Sequence, residues 1–419
     1  MDLAELFIKG PTKLKGVVDV YGAKNSVLPI LAATVICSGE CIIHNCPDIS
    51  DVDVSIKILK YLGARAYRDR DTLIVDTTVI DRCDIPDEMM REMRSSIVFL
   101  GALIARLKKA KVSFPGGCEL GPRPIDMHLK ALRQLGVQVE DDAGEIKCSV
   151  TSDILASQIT LSFPSVGATE NILLASVLCD GTTVINNAAR EPEICDLIDF
   201  LNGCGAKIYL SEESKIVIDG VDRLSTCEHT VIPDRISAAT FMSAAATTGG
   251  DVEIRNICVG HLSSVISVFE EAGCDIVKGE NCLRVKAPDV LKPLANVRTM
   301  PYPGFPTDVQ AIVMSMCTVA DGTSVFVENI FECRYKHVSE LLRFGANIKV
   351  EGRMAVIEGV KSLSGAIVKA EDLRGAASLV ITALAANGES RIQGVGYLDR
   401  GYERLEERLR KIGANIVRI

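Results

Sequence analysis

The chain has 419 residues, 47 % apolar and 24 % charged, which is enough for two or three domains with real cores and too ordinary a mixture for disorder. Lys and Arg sum to 46 against 55 Asp and Glu, a net charge of -9, so nothing in the total draws nucleic acid or an anionic membrane. The longest apolar runs, such as residues 97–105, reach about half the length of a membrane span, and no secretory leader opens the sequence.

The first predicted element is a strand over 5–10 (ELFIKG), with no helix pair before it. A Gly-Ala turn then opens an apolar helix (GAKNSVLPILAA), where Asn25 can act as cap and Lys24 can meet an anion at the N-terminus. From there one pattern recurs. An amphipathic helix ends in Gly, a small residue follows, and a strand begins: KYLGARAY, RQLGVQVE, NGCGAKIY, EEAGCDIV, LRFGANIK and RKIGANIV. The glycines, Gly63, Gly136, Gly205, Gly273, Gly345 and Gly413, are spaced by 73, 69, 68, 72 and 68 residues. A fixed period marks a repeated structural unit, and Gly at a helix end suits a cap with positive φ.

Upstream of several of these glycines a second helix runs into a β-branched strand, at 171–188, 241–257, 308–330 and 378–395. The unit therefore reads helix, strand, helix, strand, strand. Six units predict an α/β (α+β) chain of two similar domains, three units each. The closing stretch 414–419 lacks a trailing strand, which the opening strand can supply. That predicts one domain of residues 1–20 plus 235–419 and another of 21–234, with the ligand site in the cleft between them.

Segments that interrupt the repeat carry the chemistry. Residues 114–132 (FPGGCELGPRPIDMHLKAL) form a Pro- and Gly-rich loop, either a lid or a binding loop, with Cys118 in its middle. Arg123 precedes a helix holding Asp126 and His128. Residues 300–316 lead through Pro306 and Thr307 into a helix whose first turn contains Asp308, either an acid favoured by the helix dipole or a proton acceptor. Arg94, Arg334, Arg374 and Arg400 each stand beside Asp, Ser or Gly near a predicted helix start. Arginine suits phosphate and carboxylate, so these point to a small, strongly anionic substrate.

Other chemistries lack their marks. No GxxxxGK[ST] or strand-linked GxGxxG loop supports ATP or NAD, and no GxSxG elbow appears. His128 has no neighbouring His, so no metal site is expected. The 15 cysteines are scattered without CxxC pairs and read as reduced thiols of a cytoplasmic protein, mostly buried as small hydrophobes.

Taken together, GAKNSVLP, EMRSSI, PGGCELGPRPIDMHL, SVGATEN, EPEICDL, IPDRI, PYPGFPTDVQ, ENIFECRYKHV, EDLRGAASL and YLDRGYERLE resemble the enolpyruvyl transferases over essentially the whole chain, and among them the family acting on UDP-N-acetylglucosamine. The resemblance implies two domains of three βαβαββ-like units, an inside-out α/β barrel type, with the site between them. It implies enolpyruvyl transfer from phosphoenolpyruvate to the 3′-hydroxyl of UDP-N-acetylglucosamine, through a tetrahedral ketal with release of phosphate. This is the first committed step of peptidoglycan synthesis, and it needs no cofactor, metal or protein partner. It further implies that Lys24 and Asn25 meet phosphoenolpyruvate, and that Arg123, Arg400 and Arg374 hold its phosphate and carboxylate. Arg94, Arg123, Pro124, Ile125, Asp126, Met127, Ser165, Val166, Asp308 and Ile330 line the nucleotide-sugar site, with Arg334 and Asp372 among the binding residues. Asp308 takes the sugar proton. Cys118 is the general acid, can carry a pyruvyl adduct, and is the target of fosfomycin.

Two positions depart from that pattern. Phe163 stands where some relatives have a cation near the diphosphate. Glu119 adds a negative neighbour that raises the Cys118 thiol pKa. Enolpyruvyl transfer to shikimate 3-phosphate is the alternative reading, and the Cys118 loop with RPIDMH argues against it. An RNA 3′-end cyclase, built from related units, conflicts with the charge of -9. A non-enzymatic paralogue would be marked by loss of Lys24, Cys118, Asp308 or Arg400, and all four are present.

Overall fold

The computed structural model describes residues 4–116, 125–142, 144–211 and 215–419. Among them, internal contacts divide the chain after Tyr21 and after Ile232. The middle unit spans 22–232, and the terminal unit joins the N-terminal stretch to 233–419.

The repeat is visible from its first copy. Helix Lys24–Thr34, strand Glu40–His44, helix Ser50–Tyr61 and the hairpin Arg65–Asp69 with Thr72–Asp76 follow one another in the order the pattern predicts. The six periodic glycines all have φ between 80° and 110°, a region an L side chain adopts only under strain. Each therefore ends its helix and turns the chain into the hairpin.

Each repeat contributes a small sheet. The strand between the two helices pairs antiparallel on one side and with a short parallel strand on the other. In the middle unit, Glu40–His44 lies between Thr72–Asp76 and Glu228–Thr230, and Thr182–Asn186 between Ile216–Asp219 and Gln158–Thr160. The sheet Lys109–Ser113, Glu145–Ser149, Gln138–Asp142 has three strands, because its parallel edge shrinks to a bridge between Asp84 and Lys111. In the terminal unit, Asp251–Arg255 lies between Lys15–Asp19 and Cys282–Lys286, and Thr323–Val327 between Val297–Arg298 and Met354–Glu358. The last sheet is completed by the N-terminus. Leu6–Gly10 pairs antiparallel with Gly388–Gln393 and with Ile416–Arg418.

Two edge strands are exchanged. Lys15–Asp19 precedes helix Lys24–Thr34 in the chain but pairs in the terminal unit. Glu228–Thr230 precedes helix Arg235–Thr247 but pairs in the middle unit. The chain thus connects the two units twice.

The first helix of every repeat is interior. Arg235–Thr247 is buried along its whole length, Thr307–Cys317 from Val309 onward, and Leu373–Ala385 from Arg374 to Leu384, and the three pack on one another. Lys24–Thr34, Phe99–Leu107 and Val166–Ser176 form the corresponding core of the middle unit. A helix apolar all round belongs inside, whereas a second helix such as Ser263–Glu271 buries only Val265, Ile266 and Phe269. Gly101 lets two inner helices touch, since a Cβ there would stand 2.5 Å from the Asn171 carbonyl oxygen. No helix among the described residues is long and apolar enough to cross a membrane.

Candidate active site

Most of the described candidate residues gather at the N-terminal ends of inner helices or in the segments beside them. Lys24 is the first residue of its helix, Val166 of another, and Asp308 and Arg374 are each second in theirs. Arg94 opens the 3-10 turn Arg94–Val98 that runs into Phe99–Leu107. Helix N-termini carry unpaired N–H groups and partial positive charge, which favours anions.

In the terminal unit the centre is Asp308. Its Oδ1 accepts from Arg334 Nη2 at 2.9 Å and its Oδ2 from Arg374 Nη2 at 3.1 Å. Both arginine side chains are buried, while that of Asp308 keeps 27 % exposure. Arg334 also donates to the Thr307 carbonyl oxygen at 3.1 Å, which fixes the start of the helix. A carboxylate offers about four lone-pair positions, and these two bonds set the direction in which the others point. Burial pulls the Arg374 guanidinium down, but Tyr402, Asp308 and Asp234 outweigh it and its pKa is raised.

The surroundings hold this pair of ion pairs in place. Asp372 caps helix Leu373–Ala385, accepting from Arg374 N at 3.1 Å and Gly375 N at 2.9 Å. Arg374 lies over the Tyr402 ring, 5.3 Å from its centroid. Buried Glu328 accepts from Thr307 Oγ1 at 2.9 Å and from the Ile330 and Phe331 amides at 2.8 and 3.0 Å, tying half-buried Ile330 to the Asp308 helix. His337 is buried beside Gly375, and neither ring nitrogen has a side-chain partner among the described residues. Burial lowers its pKa to about 4, with Arg334 adding to the shift and Asp372 opposing it.

In the middle unit, Lys24 Nζ pairs with Asp51 Oδ2 at 2.7 Å, and both side chains are at most one-tenth exposed. Asp51 sits in the first turn of Ser50–Tyr61. Half-buried Arg94 donates to the Pro115 carbonyl oxygen at 3.1 Å. Behind it, Asn171 joins three elements: Nδ2 donates to Ile97 O at 3.1 Å and meets His128 Nδ1 at 2.8 Å, while Oδ1 accepts from Gly101 N at 2.7 Å. Burial, then the charge of Arg94, lowers His128 to about 4, so His128 is a neutral core residue. Ile125 is buried, Met127 half-buried and Asp126 exposed at the start of Asp126–Gln134. Ser165 caps Val166–Ser176, its Oγ accepting from Ala168 N at 3.4 Å. On that helix, burial raises Glu170 to about 8, helped by Glu193 and Glu191.

Several expectations change. Asn25 does not cap its helix: Ala23 holds the cap position and makes no side-chain bond, because the Gly-Ala turn enters the helix two residues earlier than a capping Asn25 requires. The four arginines do not share one helix-start position. Arg334 lies in a turn, and Arg400 follows the C-terminus of the short helix Gly396–Asp399. Arg334 and Arg374, read as substrate-facing, spend hydrogen bonds on Asp308. Exposed Phe163 lies just before the Ser165 cap. Cys118, Glu119, Arg123 and Pro124 lie outside the described residues. Asp51, Glu328 and His337 were not singled out from sequence. A first-turn acid in SDVDV was the available sign of Asp51, and nothing in the spacing marks the other two.

Comparison with known proteins bears on the chain as a whole. The family model described as EPSP synthase (3-phosphoshikimate 1-carboxyvinyltransferase) matches residues 8–409. UDP-N-acetylglucosamine 1-carboxyvinyltransferase 2 of Caldanaerobacter subterraneus subsp. tengcongensis is 49 % identical over 412 residues, covering 98 % of this chain and 99 % of the relative. UDP-N-acetylglucosamine 1-carboxyvinyltransferase 1 of Symbiobacterium thermophilum is 48 % identical over 417 residues, covering 98 % and 94 %. The crystal structure of the enolpyruvyl transferase NikO from Streptomyces tendae superposes with a TM-score of 0.90 at 26 % identity, over 99 % of this chain and 98 % of the other. An EPSP synthase from Acinetobacter baumannii gives 0.79 at 19 % identity over 99 % of each chain, which speaks to the fold alone.

Proposed function

The chain belongs to the UDP-N-acetylglucosamine 1-carboxyvinyltransferase family, and on that premise we propose how its residues divide the work. It transfers the enolpyruvyl group of phosphoenolpyruvate to UDP-N-acetylglucosamine, for peptidoglycan synthesis. The observation that carries the residue assignment is Asp308, fixed through both oxygens by buried arginines yet still reachable from solvent.

In the proposed sequence, the Cys118 thiol protonates the vinyl CH2 carbon of phosphoenolpyruvate. The adjacent carbon gains oxocarbenium character, and the sugar 3′-hydroxyl attacks it while its proton passes to Asp308. The tetrahedral ketal then loses a methyl proton and its phosphate, and the enol ether remains. Lys24, Arg123 and Arg400 hold the phosphate and carboxylate, and their charge favours phosphate departure. Arg334 and Arg374 orient Asp308 rather than the substrate. Arg94, Ile125, Met127, Ser165, Val166 and Ile330 contact the nucleotide sugar.

The test is phosphate release and enolpyruvyl product formation with phosphoenolpyruvate and UDP-N-acetylglucosamine. Cys118→Ala loses most turnover, whereas Cys118→Asp keeps part of it, because a carboxylic acid also donates a proton. Full activity in Asp308→Ala would overturn the assignment. Turnover with shikimate 3-phosphate in place of the nucleotide sugar would restore the alternative acceptor.

A further inference from the structure

We propose that Cys37, Cys41, Cys204 and Cys227 form a structural zinc site, one ion held by four thiolates, separate from the residues assigned to catalysis. The Sγ atoms of Cys37, Cys41 and Cys204 all lie within 4.8 Å of one another, and this is the sole grouping of three or more potential ligands of its kind among the described residues. Cys37 and Cys204 Sγ are 3.6 Å apart, and Cys227 Sγ is 3.3 Å from Cys204 Sγ. In a tetrahedral zinc thiolate site, Zn–S bonds of about 2.3 Å place the sulfurs about 3.8 Å apart. The three buried thiols already approach that spacing. Cys227 is half-buried, so it supplies both the fourth ligand, after a side-chain rotation, and the way in from solvent.

The surroundings favour a cation. Cys204 caps the C-terminus of Pro192–Gly203, and Cys37 follows the C-terminus of Lys24–Thr34. Two helix C-termini turn partial negative charge toward the thiols, which opposes bare thiolates and favours a positive ion among them. Four thiolates around a divalent ion leave an excess of negative charge. Arg106 stands close by, donating to the Cys37 carbonyl oxygen at 2.7 Å, where Thr77 Oγ1 also donates at 2.9 Å. Thiolate sulfur selects zinc or a similarly soft ion over magnesium or calcium. On binding, each thiol releases its proton to solvent, with no oxidant or reductant required.

The ligands come from different repeats: the first supplies Cys37 and Cys41, the third Cys204, and the exchanged edge Cys227. That is why no CxxC spacing announces them. The ion would tie the start of the middle unit's sequence to its end, and would anchor the far end of the helix that begins at Lys24.

The test uses the full chain, reduced, stripped of metal and dialysed against zinc or cobalt(II). Elemental analysis is expected to give about one zinc per chain. Cobalt is expected to give the intense visible bands of a tetrahedral site together with near-ultraviolet sulfur-to-cobalt charge transfer. Cys204→Ala removes both signals, whereas Cys274→Ala, a buried cysteine outside the group, keeps them. Because Cys204→Ala can fail to fold, the cobalt spectrum of the unmodified chain decides alone. Absence of the charge-transfer band overturns the proposal. So does a peptide-mapped Cys204–Cys227 disulfide in the chain as isolated from reducing cells, which would make the pair a redox element instead.

Discussion

Asp308 and Lys24 occupy like positions, each at the start of an inner helix, yet their settings are opposite. Asp308 is an acid gripped by two buried bases, Arg334 and Arg374. Lys24 is a base paired with one buried acid, Asp51. Two guanidiniums on one carboxylate fix its direction. One carboxylate against one ammonium makes a close, buried pair. The same kind of scaffold position thus carries an acid held between two bases in one unit and a base held against an acid in the other.

The contrast breaks most decisively at Asp308. Asp308→Asn should preserve the fold and lower kcat by about 10²- to 10⁴-fold, the usual range for a lost acid–base group, as measured by phosphate release. A change in KM with kcat intact would make Asp308 a binding residue only. Next comes Lys24. Lys24→Met takes the ammonium away from buried Asp51, with an expected loss of about 3 kcal/mol in denaturant unfolding. Lys24→Met combined with Asp51→Asn should recover most of it. If the double variant is no more stable than the single, the pair is not the reason Lys24 is held.

The dependence on pH sharpens the comparison of the two units. His128 and His337, one in each, are lowered to about 4 from an ordinary 6.5. A histidine depressed on folding stabilises above its unfolded pKa, and this contribution fades as pH falls from about 6.5 to 4, by up to about 3 kcal/mol each. Glu170 works in the opposite sense and in the middle unit alone. Raised to about 8 from 4.5, it favours folding below pH 4.5 and loses that contribution as pH rises through 8. Glu170→Gln should therefore melt higher than the natural chain at pH 8.5 and match it at pH 5. Equal melting shifts at both pH values would show that Glu170 is not buried as a neutral acid. The smallest effect belongs to Ser165→Ala, about 1 kcal/mol from the lost cap, seen in the melting temperature.

The fold was legible because its signal is local and repeated. The glycines from Gly63 to Gly413 announce six helix ends, and each is a left-handed cap in the structure. The site was legible in part. Residues singled out from the sequence itself, such as Lys24 and Asp308, do stand at inner-helix N-termini. Partners across the chain were not, because Asp51 is chosen by the packing of one helix on another, and Arg334 meets Asp308 from a turn with no periodicity of its own. Asn25 failed as a cap for a smaller reason, a two-residue difference in where the helix begins. The gathered cysteines were invisible because tertiary pairing of repeats, rather than spacing, brings Cys37 to Cys204.

The strand Leu6–Gly10 is synthesised well before both of its neighbours, Gly388–Gln393 and Ile416–Arg418. At about 5–20 residues per second, it spends on the order of tens of seconds with both edges open. An unpaired apolar strand exposed for that long is a template for wrong partners, so the nascent chain needs shielding there until both neighbours have been made. Loss of Ile416–Arg418 would leave Leu6–Gly10 without one of its two neighbours.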